Sequence, residues 1–271
     1  MIRLFALASG SRGNSFALES PDGVLLLDAG LSARETVKRA ERVGLDLAKV
    51  VGIALTHEHG DHASGAVRLA ARLGVPIVAT EGTLRALKVW DGEQPVMVLR
   101  GSSVTELAGF SLGCCRLLHD AAEPAAVVVE ARDVRVGIAY DFGRPTVGLR
   151  YLLRELDGIV LESNYDEVML RTSEYPASVQ HRIAGSGGHM SNRATAELLG
   201  ELLHPDLSLV VLAHLSQQCN TPEVARATVG SFLEERGYRG QLAVAVQDEP
   251  IGPLTIRPGA LKCTQVELGL T

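Results

Sequence analysis

Apolar and polar positions along the first thirty residues follow strand rules. IRLFALA at 2–8 and VLLLD at 24–28 are nearly continuous apolar runs, and SFALES at 15–20 is mixed. Runs of this length predict strands, and Pro21-Asp22-Gly23 predicts a hairpin turn between the last two. The period then lengthens. Ser32 and Glu35 form a capping box and Gly44 supplies a stop, so 33–43 reads as a helix. VVGIALT at 50–56 predicts a buried strand, 61–73 a helix ending at Gly74, 76–79 a strand and 81–89 a short helix. Strands follow near 96–99, 103–107 and 110–118, then a hairpin of 125–131 and 134–140 across Arg132-Asp133. Beyond it the pattern gives helix 146–156, strand 158–162, helices near 165–171, 175–184 and 193–203, strand 207–213, helix 222–236 and strand 241–246. Thr221-Pro222 is a good cap and first-turn pair for the last helix. Two successive strand-then-helix halves predict two packed sheets with helices outside.

The chain has 271 residues, 46% of them hydrophobic and 21% charged, which suits a folded protein with a sizeable core. A formal charge of -6 argues against a generally basic nucleic-acid coat. Bound divalent cations would still make a local site positive. No apolar run is long enough to span a bilayer, and the apolar stretch in MIRLFALASGSRG is too short for a signal peptide. The expectation is a cytoplasmic protein without membrane contact. Cys114, Cys115, Cys219 and Cys263 form no CxxC pair and read as reduced, buried small groups. His181 and His204 read as surface histidines. Aromatic residues make up 4%, too few for a broad base-stacking platform.

One short stretch changes the picture. LTHEHGDH spans 55–62, directly after a predicted buried strand. His57 and His59, two apart in extended backbone, point to one side, whereas Asp61 and His62 fall where the next helix begins. One strand end therefore offers ligands to two neighbouring metals rather than four to one. Imidazole with carboxylate suits zinc, manganese or iron. Other apolar runs close on the same residue types: Asp28 after VLLL, His119 after CCRLL, Asp141 after VRVGIAY and His214 after LSLVVLA. Ends of buried strands are where α/β proteins build their sites.

LLLDAG, THEHGDH, LLHDAAEP, IAYDFG and LAHLS resemble, in order, the five motifs of the metallo-β-lactamase superfamily of metallohydrolases, over about residues 2–246. The resemblance implies an α/β fold, a four-layer αββα sandwich, as one domain over 1–271 with no inserted β-CASP domain. It also implies two divalent ions, zinc or manganese. His57, His59 and His119 would hold one, Asp61, His62 and His214 the other, and Asp141 would bridge them. Asp28 would support the site by hydrogen bonding. SGSRGNS at 9–15, HDAAEP, LESNYD, GGHMSN and LSQQCNTPE further resemble the YycJ/WalJ group, which is associated with DNA exonuclease activity. That implies DNA as partner, 5′→3′ digestion and a place in DNA repair, with any protein partner unnamed.

Paired cations lower the pKa of a shared water toward neutrality, so a metal-bridging hydroxide is the expected nucleophile. Phosphodiester cleavage also expels an alkoxide, which needs a proton. His189, in the small-residue run GSGGHMSN, is not needed to complete either metal shell. Glu162 closes the strand DGIVLE and could fix the tautomer of His189. Asp61, Glu162 and His189 thus form the expected catalytic set, His189 as general acid. Ribonuclease Z is similar, with a strand-end Glu and a loop His-Ser pair where this chain reads His-Met-Ser. Arg12 and Asn14 in SGSRGNS and Arg144 after YDFG are expected substrate contacts. Ser191 and Asn192 either bond phosphate or cap the following helix. The competing readings are a carbonyl hydrolase, acting on a thioester or lactone, and a phosphodiesterase for small cyclic or dinucleotide phosphates.

Overall fold

A computed structural model describes residues 1–259. The first sheet is built from β1 (Ile2–Ala8), β2 (Ser15–Ser20), β3 (Gly23–Leu27), β4 (Val50–Ala54), β5 (Ile77–Ala79), β6 (Val96–Val98) and β14 (Ile251–Ile256), in the order β14-β1-β2-β3-β4-β5-β6. The second contains β7 (Thr105–Leu107), β8 (Phe110–Arg116), β9 (Ala125–Ala131), β10 (Val134–Ala139), β11 (Gly158–Glu162), β12 (Leu209–Ala213) and β13 (Gln241–Val244), in the order β13-β12-β11-β10-β9-β8-β7. Each sheet is antiparallel on one side and parallel on the other. The parallel parts are β3 to β6 and β10 to β13.

The continuous apolar runs are explained by burial on both faces. In β1, Ile2, Leu4 and Ala6 join the core between the sheets, while Phe5 and Leu7 face outward under helices. In β12, Leu209, Val211 and Ala213 point to the central core and Val210 and Leu212 to the outer one. Helices α1 (Ala33–Arg42), α2 (Gly60–Ala63), α3 (Ala66–Leu73) and α4 (Glu81–Ala86) follow strands of the first sheet, and Leu69, Ala70 and Leu84 pack on its outer face. On the second sheet, α5 (Val147–Leu152), α8 (Asn192–Leu202) and α9 (Pro222–Glu235) pack outside, with α6 (Glu167–Arg171) and α7 (Ala177–Ile183) completing the set. The result is the expected αββα sandwich. Cores of this kind, apolar on both faces of each sheet, leave chemistry to the strand ends.

Three features depart from expectation. The helix expected over 61–73 is broken at Ser64-Gly65. There the chain crosses residues 29–31 so closely that a side chain on Gly65 would lie 1.9 Å from the Leu31 carbonyl oxygen. Strand β14 carries Pro253 and was not expected. It lies at the sheet edge, where a missing backbone donor is tolerated. Cys114 and Cys219 are buried as expected, but Cys115 is only half-buried because neighbours on β8 face opposite ways. Cys263 lies outside the described residues. His181 is exposed, and His204 Nε2 is bonded to the Leu156 carbonyl at 2.9 Å.

Candidate metal centre

Six strand ends converge at one edge of the sandwich. Asp28 follows β3, His57 follows β4, His119 follows β8, Asp141 follows β10, Glu162 ends β11 and His214 follows β12. Asp28, Asp141 and His214 leave their strands with φ of 59°, 61° and 55°. Left-handed backbone at a non-glycine residue costs energy and turns each side chain across the sheet edge.

The cluster divides into overlapping groups whose ligand atoms lie within 4.8 Å of one another: His57, His59 and His119; Asp61, His62 and His214; His57, His62 and Asp141; and Asp141, Glu162, His189 and His214. Asp141 belongs to two of them. Its Oδ2 lies 2.8 Å from His62 Nε2 and 3.7 Å from His57 Nε2, and its Oδ1 lies 3.1 Å from His214 Nδ1. The structure therefore brings all seven expected ligands together, with Asp141 in the middle.

Supporting hydrogen bonds set which ring nitrogen faces the centre. Asp28 is completely buried and accepts from Thr56 N, Thr56 Oγ1, His62 Nδ1 and Tyr140 Oη at 2.5–2.8 Å. His57 Nδ1 lies 3.1 Å from Thr56 Oγ1 and His119 Nδ1 lies 3.2 Å from the Gly187 carbonyl. In each ring Nε2 is left to face the cluster, which is how outer hydrogen bonds orient metal-binding imidazoles.

Whether this donor set fits a cation can be tested on its unsatisfied atoms. His57 Nε2, His214 Nε2 and Asp141 Oδ2 are buried without a satisfying hydrogen bond, although His62 Nε2 lies 2.8 Å from the last. Buried polar atoms are otherwise nearly always paired. Three such atoms in one cluster of imidazoles and carboxylates match the needs of divalent cations. Charge points the same way. Burial, reinforced by the neighbouring His62, pushes the His57 imidazole down to about 2, so that ring is neutral. Burial opposes charge on His214, but the Asp141 carboxylate, with Asp61 and Glu162, outweighs it and pushes that ring up to about 10. Asp141 itself is held well below the usual carboxylate range, burial being outweighed by His214 and His62. The cluster is thus rich in negative charge, and cations must compete with protons for its imidazoles.

Glu162 does more than its expected task. Its Oε1 accepts from His189 Nδ1 at 2.7 Å and lies 3.0 Å from His214 Nδ1. Its Oε2 accepts from the backbone of Phe142 and Met190. His189 Nδ1 is also 3.3 Å from Asp141 Oδ1, and the His189 side chain keeps 23% exposure. Burial lowers the pKa of His189, but the Glu162 carboxylate outweighs it and the net shift is upward.

The expected substrate contacts are placed differently. Asn14 is completely buried. Its Oδ1 accepts from Gly10 N at 2.9 Å, and its Nδ2 donates to Gly10 O and approaches His62 Nε2 at 3.2 Å. The SGSRGNS loop is accordingly a packed floor under the Asp61-His62 turn, and Ser9 Oγ accepts from His214 N at 2.7 Å. Ser191 caps α8 through Ala194 N, and Asn192 is buried in bonds with Ser163 and Asn220. Arg12 is exposed but paired with Asp248 at 2.5 Å. Arg144 is exposed beside the 185–189 loop, where Gly143 N donates to Ser186 O. Sequence reasoning missed Thr56, Tyr140 and Glu58. Glu58 Oε1 accepts from Ala122 N at 2.7 Å and ties the HDAAEP loop to the first histidines. Tyr140 could not be told from a core aromatic, and it is one, except for its hydroxyl.

Comparison with known proteins agrees with this geometry. The sequence profile described as "Metallo-beta-lactamase superfamily" matches residues 8–151. The chain is 31% identical over 255 residues to "Exodeoxyribonuclease YycJ" of Bacillus anthracis, covering 93% of this chain and 97% of that protein. It is 31% identical over 236 residues to "Exodeoxyribonuclease WalJ" of Streptococcus pneumoniae serotype 2 (strain D39 / NCTC 7466), covering 84% and 87%. Among solved structures, the metallo-beta-lactamase fold protein YhfI from Bacillus subtilis superposes with a TM-score of 0.66 at 15% identity, covering 92% of this chain and 99% of that one. The last likeness concerns the fold alone.

Proposed function

Because the chain belongs to the metallo-beta-lactamase superfamily, and within it to the YycJ/WalJ group, we propose that this metal-dependent hydrolase is an exonuclease that degrades DNA in the 5′→3′ direction. DNA and direction are carried over from the relatives. What supports the reading in this chain is His189, hydrogen-bonded to Glu162 at 2.7 Å beside the ligand cluster.

Two divalent cations, zinc or manganese, held by His57, His59 and His119 and by Asp61, His62 and His214 with Asp141 between, would activate water and neutralise charge on the phosphoryl oxygens. Asp28 and Glu162 keep the rings in the tautomer that presents Nε2. His189 gives Nδ1–H to Glu162 at 2.7 Å, so its Nε2 carries the transferable proton toward the open side. There it protonates the leaving 3′ oxygen of the departing nucleotide. Arg144, exposed on the rim, steadies the scissile phosphate. The Glu162–His189 pair supports a phosphodiester over a thioester, since a thiolate leaving group needs no acid.

The test is hydrolysis of end-labelled single- and double-stranded DNA and RNA with zinc, manganese or magnesium, beside a thioester and a cyclic dinucleotide. The expected outcome is release of mononucleotides from DNA 5′ ends, abolished by a chelator and restored by added metal. Turnover of the thioester alone, or of the cyclic dinucleotide alone, would overturn it.

A further inference from the structure

Behind the histidine cluster lies a second feature that the reaction does not use. A cavity of about 350 Å³ is lined by Thr80, Arg100, Ser102, Cys114, Arg116 and Glu123, among others. It shares a wall with the cluster. Ala125, in its lining, donates its N–H to the carbonyl of Thr56, the residue before His57. Ala122, next to Glu123, is the residue bonded to Glu58. His119 begins the same short segment.

The charges of this cavity are unevenly committed. Glu81 in its wall is engaged by Arg85 at 2.8 Å, and Glu123 Oε2 accepts from Gly82 N at 2.8 Å. Thr80 Oγ1 donates to the Glu123 carbonyl. Burial pushes the Cys114 thiol up to about 11, so it adds no charge at neutral pH. Arg100 and Arg116 are both exposed, and neither guanidinium has a hydrogen-bond or ion-pair partner among the described residues. In a chain with a net charge of -6, two unpaired guanidinium groups in one concavity stand out. Guanidinium forks recognise phosphate by paired N–H donors.

We infer that the Arg100/Arg116 cavity is a second phosphate site, holding a backbone phosphate of the nucleic acid whose scissile phosphate sits at the histidine cluster. The inference rests on the nucleic-acid reading given above and adds a second anchor to it. The anchor makes affinity depend on strand length, because a mononucleotide at the cluster leaves the cavity unfilled.

The experiment compares the metal-loaded parent with Arg100→Ala/Arg116→Ala, reading binding of a labelled single-stranded oligonucleotide with nuclease-resistant linkages by fluorescence anisotropy over a salt series. Removing both guanidinium groups should weaken binding about tenfold and reduce the slope of log K against log salt by about 0.7, the share of one phosphate on a single strand. A lysine pair at the same positions should keep most of the slope, which separates lost charge from a folding defect. Equal affinity and slope in parent and alanine variant would overturn the site. Should inorganic phosphate bind the parent but not the alanine variant while oligonucleotide affinity and slope are the same in both, the cavity serves free phosphate and the polymer assignment falls. Because binding is read without cleavage, a parent that binds but cannot hydrolyse natural DNA would sink the nuclease reading alone.

Discussion

The 57–62 turn and the 185–191 loop both bring imidazoles to the same cluster, yet they are held in opposite ways. His57 and His62 are 1% and 0% exposed. Their turn is fixed by four donors on Asp28 and by the buried Asn14 beneath it. Packing there is so close that a side chain on Gly30 would lie 1.8 Å from the Asp61 carbonyl oxygen. His189 instead follows three glycines within four residues, at 185, 187 and 188. It is held by its backbone N–H to Ile183 O and by Glu162, and part of its ring stays open. The difference fits two tasks. Groups that must keep a fixed geometry are buried and bonded on every side. A group that must meet a substrate needs one orienting bond and one free face.

The contrast can be broken first at its rigid side. Asp28→Ala leaves the buried Thr56, His62 and Tyr140 donors without their acceptor, and loss of one partner from such a network costs about 3–5 kcal/mol. The expected result is a lower denaturation midpoint, loss of bound metal by elemental analysis and no measurable turnover. Retained metal and activity would mean the turn does not depend on its carboxylate. At the open side, His189→Ala should lower kcat by roughly 10²–10⁴-fold, the range for losing a general acid, with metal content and thermal midpoint unchanged. Loss of metal in that variant would make His189 a ligand and remove the distinction between the two regions. The smallest effect is expected at the floor of the turn. Asn14→Ala removes acceptor and donor from a buried loop and should cost about 1–3 kcal/mol in chemical denaturation. Its metal-saturated turnover should stay near that of the parent. A large fall in turnover with unchanged stability would return Asn14 to the list of substrate contacts.

Most strands were legible because burial on both faces of a sheet demands apolar runs, as in VLLL and LSLVVLA, and these two are followed by Asp28 and His214, which the structure brings to the cluster. The break at Ser64-Gly65 was not legible, because it is imposed by the crossing of residues 29–31. Pro253 concealed β14 for a related reason. Whether proline is allowed depends on the strand lying at an edge, which is a property of the sheet and not of the segment.

By itself, the sequence determined the order of strands and helices and the histidines and aspartates at the strand ends, which follow from residue type and local order. The resemblance of its motifs to the metallo-β-lactamase superfamily added the αββα layering and the seven-ligand set, and the pairing of Glu162 with His189 is an expectation from the need for a proton donor. Only the tertiary structure decided that Asn14, Ser191 and Asn192 are buried and hydrogen-bonded within the fold, that Glu162 serves His214 as well, and that Tyr140 donates to Asp28. The physical reason is that burial and hydrogen-bond partnership belong to pairs of residues far apart in the chain. A polar side chain reads the same in sequence whether its partner is water, a phosphate or a buried carboxylate.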